Sequence, residues 1–337
     1  MHIYVAWSVL FALYVLYKLL FRNRFLCEEA GVSRIYTDSI KALAIIGIML
    51  AHVAVQYHGP NYIGPLRSLI VGLGAFGVQV FFFLSGFGTY YSIQKTKGYL
   101  SWGGRHALRL ICSFMICYVI TCLIYLLFDK NVFDIHDFLF LLMPYCTTWY
   151  LKIQILFYFF LVLAVIIFRR YNHNANMVAV YVFILSLGCT LFLQYFGFED
   201  WWWKSNLCFA LGIGVAINIE KIKLIINGSN RQVLILTFAA ICTYIVCIKF
   251  DCHLILGPLL SMIRMFVVFC WFYAIRYHTR IKIISKYTLE IYLIHIGLIR
   301  LFINEVDDSG AVVAFLLFTV LASLLSNKIV SRVTSLI

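Results

Sequence analysis

Apolar segments alternate with short polar segments along almost the whole chain. Each apolar segment runs for about 14 to 24 residues, close to the about 20 that an α-helix needs to cross the hydrocarbon core of a bilayer. The segment at 206–219 is the shortest, so we expect it to tilt little or to thin the bilayer locally. The pattern predicts transmembrane helices at roughly residues 3–20, 40–57, 69–92, 107–128, 149–168, 178–196, 206–219, 233–249, 254–275, 286–303 and 311–327.

The apolar segments are continuous, whereas strands of a membrane β-barrel alternate apolar and polar residues. The pattern therefore favours helices, which satisfy their own backbone hydrogen bonds in lipid. Composition agrees, because 64% of the 337 residues are apolar and only 12% are charged, against about 25% charged in an average soluble domain. The sequence predicts an all-α membrane protein, a polytopic bundle of about 11 transmembrane helices.

The charge of the chain, +13, is distributed as a topology signal. Alternate loops, taken with the C-terminal tail, hold about 19 of the 27 lysines and arginines, and the loops on the opposite side hold about five. This distribution predicts a cytoplasmic C-terminus and an outside N-terminus, and it argues against nucleic-acid binding. The basic residues of the first segment follow its apolar stretch, unlike those of a secretory signal, so we expect a retained helix.

Ionisable residues inside the membrane are expensive and therefore point to function. Lys41 and His52 are eleven residues apart, about three helical turns, so they share one helix face with Arg34 and lie about 16 Å apart. Asp38 lies one turn before Lys41. This face places cations at the inner surface and an imidazole at or just past the midplane. A positive-inside anchor with a structural histidine is the alternative.

A second intramembrane histidine, His295, lies nine residues, about 13 Å, from Lys286 at the inner end of its own span. It therefore reaches a depth similar to that of His52, and the two histidines are expected to face one cavity. Glu290, four residues after Lys286, has an i,i+4 contact as its structural alternative. Arg264 lies mid-span and requires a partner or water, which leaves pairing and site function open.

Two further patterns concern nucleotide binding. Gly72, Gly74 and Gly77 match G-x-G-x-x-G, but they lie in an apolar segment without a preceding strand, so close helix approach explains them better. Arg105 and Arg109, one turn apart at the start of a span, suit bidentate phosphate binding, with ordinary positive-inside charge as the alternative. The eleven cysteines form no C-x-x-C pair and no zinc-like cluster with histidine, so no metal is expected.

Taken in order, these residues resemble the integral-membrane acyltransferase-3 family, over roughly residues 34–330. The resemblance rests on Lys41 with His52, Phe82–Phe87 (which includes Ser85), Arg105–Arg109, Trp149–Gln154 and Tyr287–His295. Two departures are an additional span in 1–33, with a basic linker, and a spacing of four between Arg105 and Arg109 where the family commonly has three. We therefore divide the chain into this N-terminal segment, 1–33, and an acyltransferase-like core, 34–337.

The resemblance implies transfer of an acetyl or other short acyl group from cytosolic acetyl-CoA to a hydroxyl of a surface polysaccharide or lipid-linked glycan, in the inner (cytoplasmic) membrane. It implies that Arg105, Arg109 and Lys41 bind the donor. It also implies that His52 acts as general base or transient acyl carrier, and His295 as a second acid/base group. Supporting roles fall to Arg34, Asp38, Ser85, Arg264 (oxyanion stabilisation) and Glu290.

Two alternatives come from other classes. A polysaccharide flippase or polymerase has a similar helix count, but polymerases usually have a long outer loop that is not seen here. A secondary transporter should contain repeated halves with matching broken helices, and the sequence shows no such repeat.

Overall fold

A computed structural model describes residues 34–56, 66–128, 149–170, 175–226, 229–250, 256–275, 280–303 and 309–335. These residues form eleven α-helices, two 3-10 helices (Asp200–Trp202 and Arg280–Tyr287) and no strand. The predicted first span and its linker, residues 1–33, lie outside this part. The α-helices are α1 (Arg34–Gln56), α2 (Leu66–Gln94), α3 (Tyr99–Leu127), α4 (Trp149–Arg170), α5 (Ala175–Tyr195), α6 (Leu207–Ile217), α7 (Ile219–Ile225), α8 (Asn230–Phe250), α9 (Leu256–Ala274), α10 (Thr288–Phe302) and α11 (Ser309–Thr334).

The predicted all-α polytopic membrane fold is confirmed. Among the described residues, seven helices are long and apolar enough to cross a membrane, namely α1 to α5, α9 and α11. The bent pair of α7 and α8 makes eight if it is counted as one span. Each of the ten predicted spans that fall in the described part overlaps a helix, although α6 and α10 have only 11 and 15 residues. The orientation of the termini stays a prediction.

Close approach of α1 and α2 explains the glycines that matched a nucleotide-binding pattern. A Cβ atom added at Gly74 would lie 2.6 Å from the Cβ of Ala51, and one at Gly77 would lie 2.7 Å from the carbonyl oxygen of Ala44. Both distances are far below van der Waals contact, so only glycine allows this packing. The interpretation of Gly74 and Gly77 as helix-packing positions is confirmed, and that of Gly72 stays a prediction.

The short helix α6 lies within the predicted span at 206–219, and the small tilt or local bilayer thinning expected of that span stays a prediction. It packs inside the bundle against α2, α5 and α9, and eight of its residues are buried. A Cβ at Gly86 of α2 would lie 2.1 Å from the Phe209 carbonyl oxygen, and one at Gly212 of α6 would lie 2.0 Å from the Phe83 carbonyl oxygen. An 11-residue helix is sufficient here because α6 is covered by other helices and not by lipid.

The outward surface of the bundle is apolar, as a surface in contact with lipid must be. On α11, for example, Leu317, Val320, Leu321 and Leu325 are exposed, whereas Thr319, Ser323 and Ser326 are buried against the neighbouring helices. These three hydroxyl residues therefore face inward along the middle of the helix, the reverse of the pattern in a soluble protein.

Candidate active site

Two histidines from different helices meet inside the bundle. His52 of α1 and His295 of α10 have ring centroids 5.0 Å apart, with ring planes inclined by 59°. His295 is completely buried, and His52 is partly buried. The structure thus brings together the two residues that the sequence placed at similar depth on separate spans.

The backbone of α10 holds the His295 ring in one orientation. Its Nδ1 lies 2.7 Å from the carbonyl oxygen of Tyr292 and 3.1 Å from that of Ile291. Because a carbonyl oxygen only accepts hydrogen bonds, Nδ1 is the protonated nitrogen and Nε2 keeps its lone pair. Nε2 is buried and has no hydrogen-bond partner among the described residues. His295 therefore has an unpaired nitrogen lone pair inside the bundle, and its ring lies beside that of His52.

One helical turn from the histidine pair is a cavity of about 210 Å³. Residues of four helices, α1, α2, α4 and α10, form its wall. Tyr292 connects the cavity to the pair, because the Tyr292 and His295 ring centroids are 5.6 Å apart. Lys41 lines the cavity, and its Nζ atom lies 3.7 Å from Oδ1 of Asp38. The lining residues are Lys41, Phe81, Leu84, Ser85, Tyr150, Thr288, Leu289 and Tyr292.

Ser85, at the wall of this cavity, is held by residues of α4. The Gln154 amide donates from Nε2 to Ser85 Oγ at 2.7 Å, and the Tyr158 hydroxyl interacts with both side chains. Gln154 is almost completely buried, and its Oε1 has no partner in the described part of the chain. Sequence reasoning did not select Gln154 or Tyr158 as site residues, although Gln154 closes the Trp149–Gln154 stretch of the resemblance.

A second pocket, of about 190 Å³, is lined by Arg105, His106, Arg109 and Thr334, which we call the basic pocket. Its two arginines belong to the helix, because α3 begins at Tyr99, earlier than the predicted 107. Arg105 donates to Ser101 Oγ at 2.9 Å, and Arg109 interacts electrostatically with Tyr158 and Glu290. The pocket suits a phosphorylated ligand, since two exposed guanidinium groups stand one turn apart.

Two buried charged residues make contacts between helices. The amide of Asn327 donates to Glu290 Oε1 at 3.0 Å and to the Lys286 carbonyl oxygen at 3.2 Å. Glu290 therefore contacts Asn327 of α11, in place of the i,i+4 contact with the Lys286 side chain that was its structural alternative. Arg264, only 5% exposed, donates from Nε to Gln79 Oε1 at 3.1 Å and lies over the Phe76 ring. Arg264 thus has the partner that its depth requires, and its catalytic part stays a prediction.

The predicted site residues therefore fall into three neighbouring groups. His52 and His295 form the pair, Lys41 and Ser85 line the adjoining cavity, and Arg105 and Arg109 line the basic pocket. Arg34 is the first residue of α1, and its supporting role stays a prediction. The described part of the chain contains no group of three His, Cys, Asp or Glu residues that could hold a metal ion.

Comparison with known proteins adds one match. A model of the acyltransferase-3 family, described as an acyltransferase domain, matches residues 34–327, from the first residue of α1 into α11. The match contains the histidine pair, the cavity and both arginines of the basic pocket. No curated protein and no solved structure matches the chain.

Proposed function

The chain belongs to the acyltransferase-3 family, and from this premise we propose that it moves an acetyl or other short acyl group from cytosolic acyl-CoA to a hydroxyl of a cell-surface glycan or lipid-linked sugar. Membership of the family makes the protein a membrane acyltransferase. The acyl group, the donor and the acceptor are the proposal.

The observation that supports this proposal most strongly is the His52–His295 pair. Acyl transfer to a hydroxyl needs a base that takes the proton of the attacking oxygen, and a neutral imidazole is the side chain best suited to that role near neutral pH. His295 is fixed by two carbonyls and shielded from solvent, so it suits positioning. His52, which is partly exposed, suits contact with the substrate.

In the proposed reaction, one nitrogen of His52 removes the proton from the acceptor hydroxyl. The hydroxyl oxygen forms a bond to the thioester carbonyl carbon, and the carbon–sulfur bond breaks. The proton on His52 then passes to the leaving thiolate, so the products are an ester and free CoA. His295 Nε2 accepts a hydrogen bond from the other His52 nitrogen, which orients that ring and stabilises its charged form, as the third group of a catalytic triad does.

The donor is proposed to span the two cavities. Arg105 and Arg109 contact its phosphates at the basic pocket, since guanidinium groups bind phosphate oxygens bidentately. Its arm, which ends in the acyl thioester, then occupies the adjoining cavity, where Lys41 and the Ser85 hydroxyl lie beside the path towards Tyr292 and His295. The carbonyl oxygen of the thioester becomes negative during attack, and a cation or a hydroxyl donor stabilises such charge.

The acceptor is proposed to enter from the outer side of the inner membrane. The charge distribution predicts that the ends of α2 and α3 nearest Lys95 and Lys97 are cytoplasmic. Along α1, His52 lies eleven residues, about 16 Å, from Lys41 in the direction away from that side. A sugar hydroxyl and a cytosolic thioester would therefore reach the histidine pair from opposite ends of the bundle.

The experiment is transfer of isotopically labelled acetyl from acetyl-CoA to glycan, in membranes prepared with and without this protein. The proposal expects label in the glycan fraction only when the protein is present and its His52 is intact. Label that stays on acetyl-CoA in the presence of well-folded protein would reject the proposed donor and acceptor, and would favour a different acyl donor or a different acceptor for this acyltransferase.

A further inference from the structure

We propose that His106 is a third phosphate-binding group of the basic pocket, and that it binds the donor only in its protonated form. The inference rests on the proposed function, because it takes acyl-CoA as the donor. It gives a role to His106, which lies between Arg105 and Arg109 in the sequence and has no other part in the proposed reaction. It also makes donor affinity depend on pH.

The position of the His106 ring is fixed by its surroundings. It stacks on the Trp102 ring with centroids 4.1 Å apart and planes inclined by 32°. The Tyr158 ring lies nearly perpendicular to it, at 81°, with ring centroids 5.6 Å apart. Trp102 is anchored in turn, since its Nε1 donates to Ser92 Oγ of α2 at 2.9 Å. A ring held on two sides loses little further freedom when a ligand binds.

The hydrogen bonding of His106 leaves one nitrogen for the pocket. Its Nδ1 lies 2.9 Å from the Trp102 carbonyl oxygen, which can only accept, so Nδ1 is a donor in either charge state. Nε2 is therefore the nitrogen that changes. As a neutral ring nitrogen it presents a lone pair, which repels a phosphate oxygen, and as a protonated nitrogen it donates a charge-assisted hydrogen bond.

The groups around His106 couple its protonation to donor binding. Arg105 and Arg109 interact with it electrostatically from its own helix, Tyr158 reaches it from α4, and Thr334 shares the pocket from α11. In the described part of the chain, no carboxylate is among the groups that act on it. Two guanidinium groups repel a third positive charge until an anion lies between them, and a phosphate removes this repulsion. Stacking of an imidazolium on Trp102 adds a cation–π contribution.

The test measures KM and kcat at about pH 6 and about pH 8, which bracket the range in which an imidazole changes charge. The donors are acetyl-CoA and acetyl-pantetheine, which lacks the nucleotide phosphates. The variants are His106→Gln, which cannot be charged, and His106→Arg, which always is. Lys97→Gln is the matched control, since it removes a cation in the exposed turn between α2 and α3.

For wild type we expect the KM for acetyl-CoA to rise about tenfold between the two pH values, the change that follows from losing one charge-assisted hydrogen bond. His106→Gln should show the high KM at both pH values and His106→Arg the low one, with kcat unchanged. The KM for acetyl-pantetheine should not respond to the variants, and Lys97→Gln should behave as wild type.

The proposal is overturned if His106→Gln keeps the wild-type pH dependence of the acetyl-CoA KM, or if it raises the KM of both donors equally, as simple loss of packing on Trp102 would. His106→Arg that binds no better than His106→Gln would also overturn it. Failure of the proposed function is a separate outcome, because wild-type protein would then transfer acetyl from neither donor.

Discussion

Replacing Gly86 or Gly212 by alanine should separate α2 from α6. The added Cβ at Gly86 would lie 2.1 Å from the Phe209 carbonyl oxygen, and the one at Gly212 would lie 2.0 Å from that of Phe83. Ordinary contact begins at 3.4 Å, so the helices must move apart by roughly 1 Å at this crossing. Both obstacles are backbone atoms, so no side-chain rotation can relieve them.

The expected loss of stability is about 2–3 kcal/mol for either variant, the upper part of the range for overpacked cores. Transfer should also fall. Ser85 is the residue before Gly86, and it accepts its hydrogen bond from Gln154 at 2.7 Å, so a shift of α2 of roughly 1 Å would lengthen that contact beyond a normal hydrogen bond. The cavity wall formed by Ser85 and Leu84 would move with it.

Thermal unfolding in detergent and acyl transfer per folded molecule measure these two effects. Gly88→Ala is the matched control, because it makes the same change two residues further along α2, where nothing lies within 4 Å of the added atom. There we expect an unchanged or higher melting temperature, since alanine favours a helix over glycine by about 1 kcal/mol. Gly86→Ala and Gly212→Ala variants that both melt and react like Gly88→Ala would refute the packing argument.

Three further predictions concern donor binding, a buried carboxylate and topology. The double variant Arg105→Ala, Arg109→Ala should raise the donor KM about ten- to a hundredfold at unchanged protein level, because a phosphate contact of about 1.5–3 kcal/mol is lost. An unchanged KM would mean that the two arginines serve only as positive-inside charges. Glu290→Leu should lower stability by about 1–3 kcal/mol because Asn327 loses one of its two acceptors, whereas Glu290→Gln should not, and equal melting of the two would contradict this. Reporter fusions at residues 1 and 337 should place the N-terminus outside and the C-terminus inside, and termini on the same side would remove one span from the count.

The sequence predicts the helices well because lipid imposes a length and a composition that can be read directly. Helix boundaries are less predictable, since charged residues at a membrane surface can still be helical. α1 begins at Arg34 and α3 at Tyr99, several residues before the apolar segments that they contain. The burial of α6 could not be predicted from its own composition, because it depends on which helices surround it.

The same distinction applies to the candidate site. The pairing of His52 with His295 could be expected from their equal depths along two spans, which helical rise alone provides. Other contacts of the site depend on how helices lie side by side. They are the hydrogen bond from Gln154 to Ser85, the stacking of His106 on Trp102 and the hydrogen bond from Asn327 to Glu290. The spacing of residues within one segment contains no information about how separate helices lie side by side.

The central claim is that His52 performs the chemistry at the histidine pair, and specific activity per folded molecule of His52→Ala tests it most directly. Loss of a general base lowers a rate by about 10²–10⁴-fold, so we expect transfer at least about a hundredfold below wild type. Size-exclusion profile and melting temperature should stay those of the wild type, since the substitution removes a polar ring from the bundle interior. A structural histidine predicts instead poorer folding with partial activity in the folded fraction. Wild-type specific activity in His52→Ala would contradict the account and move the catalytic assignment to His295.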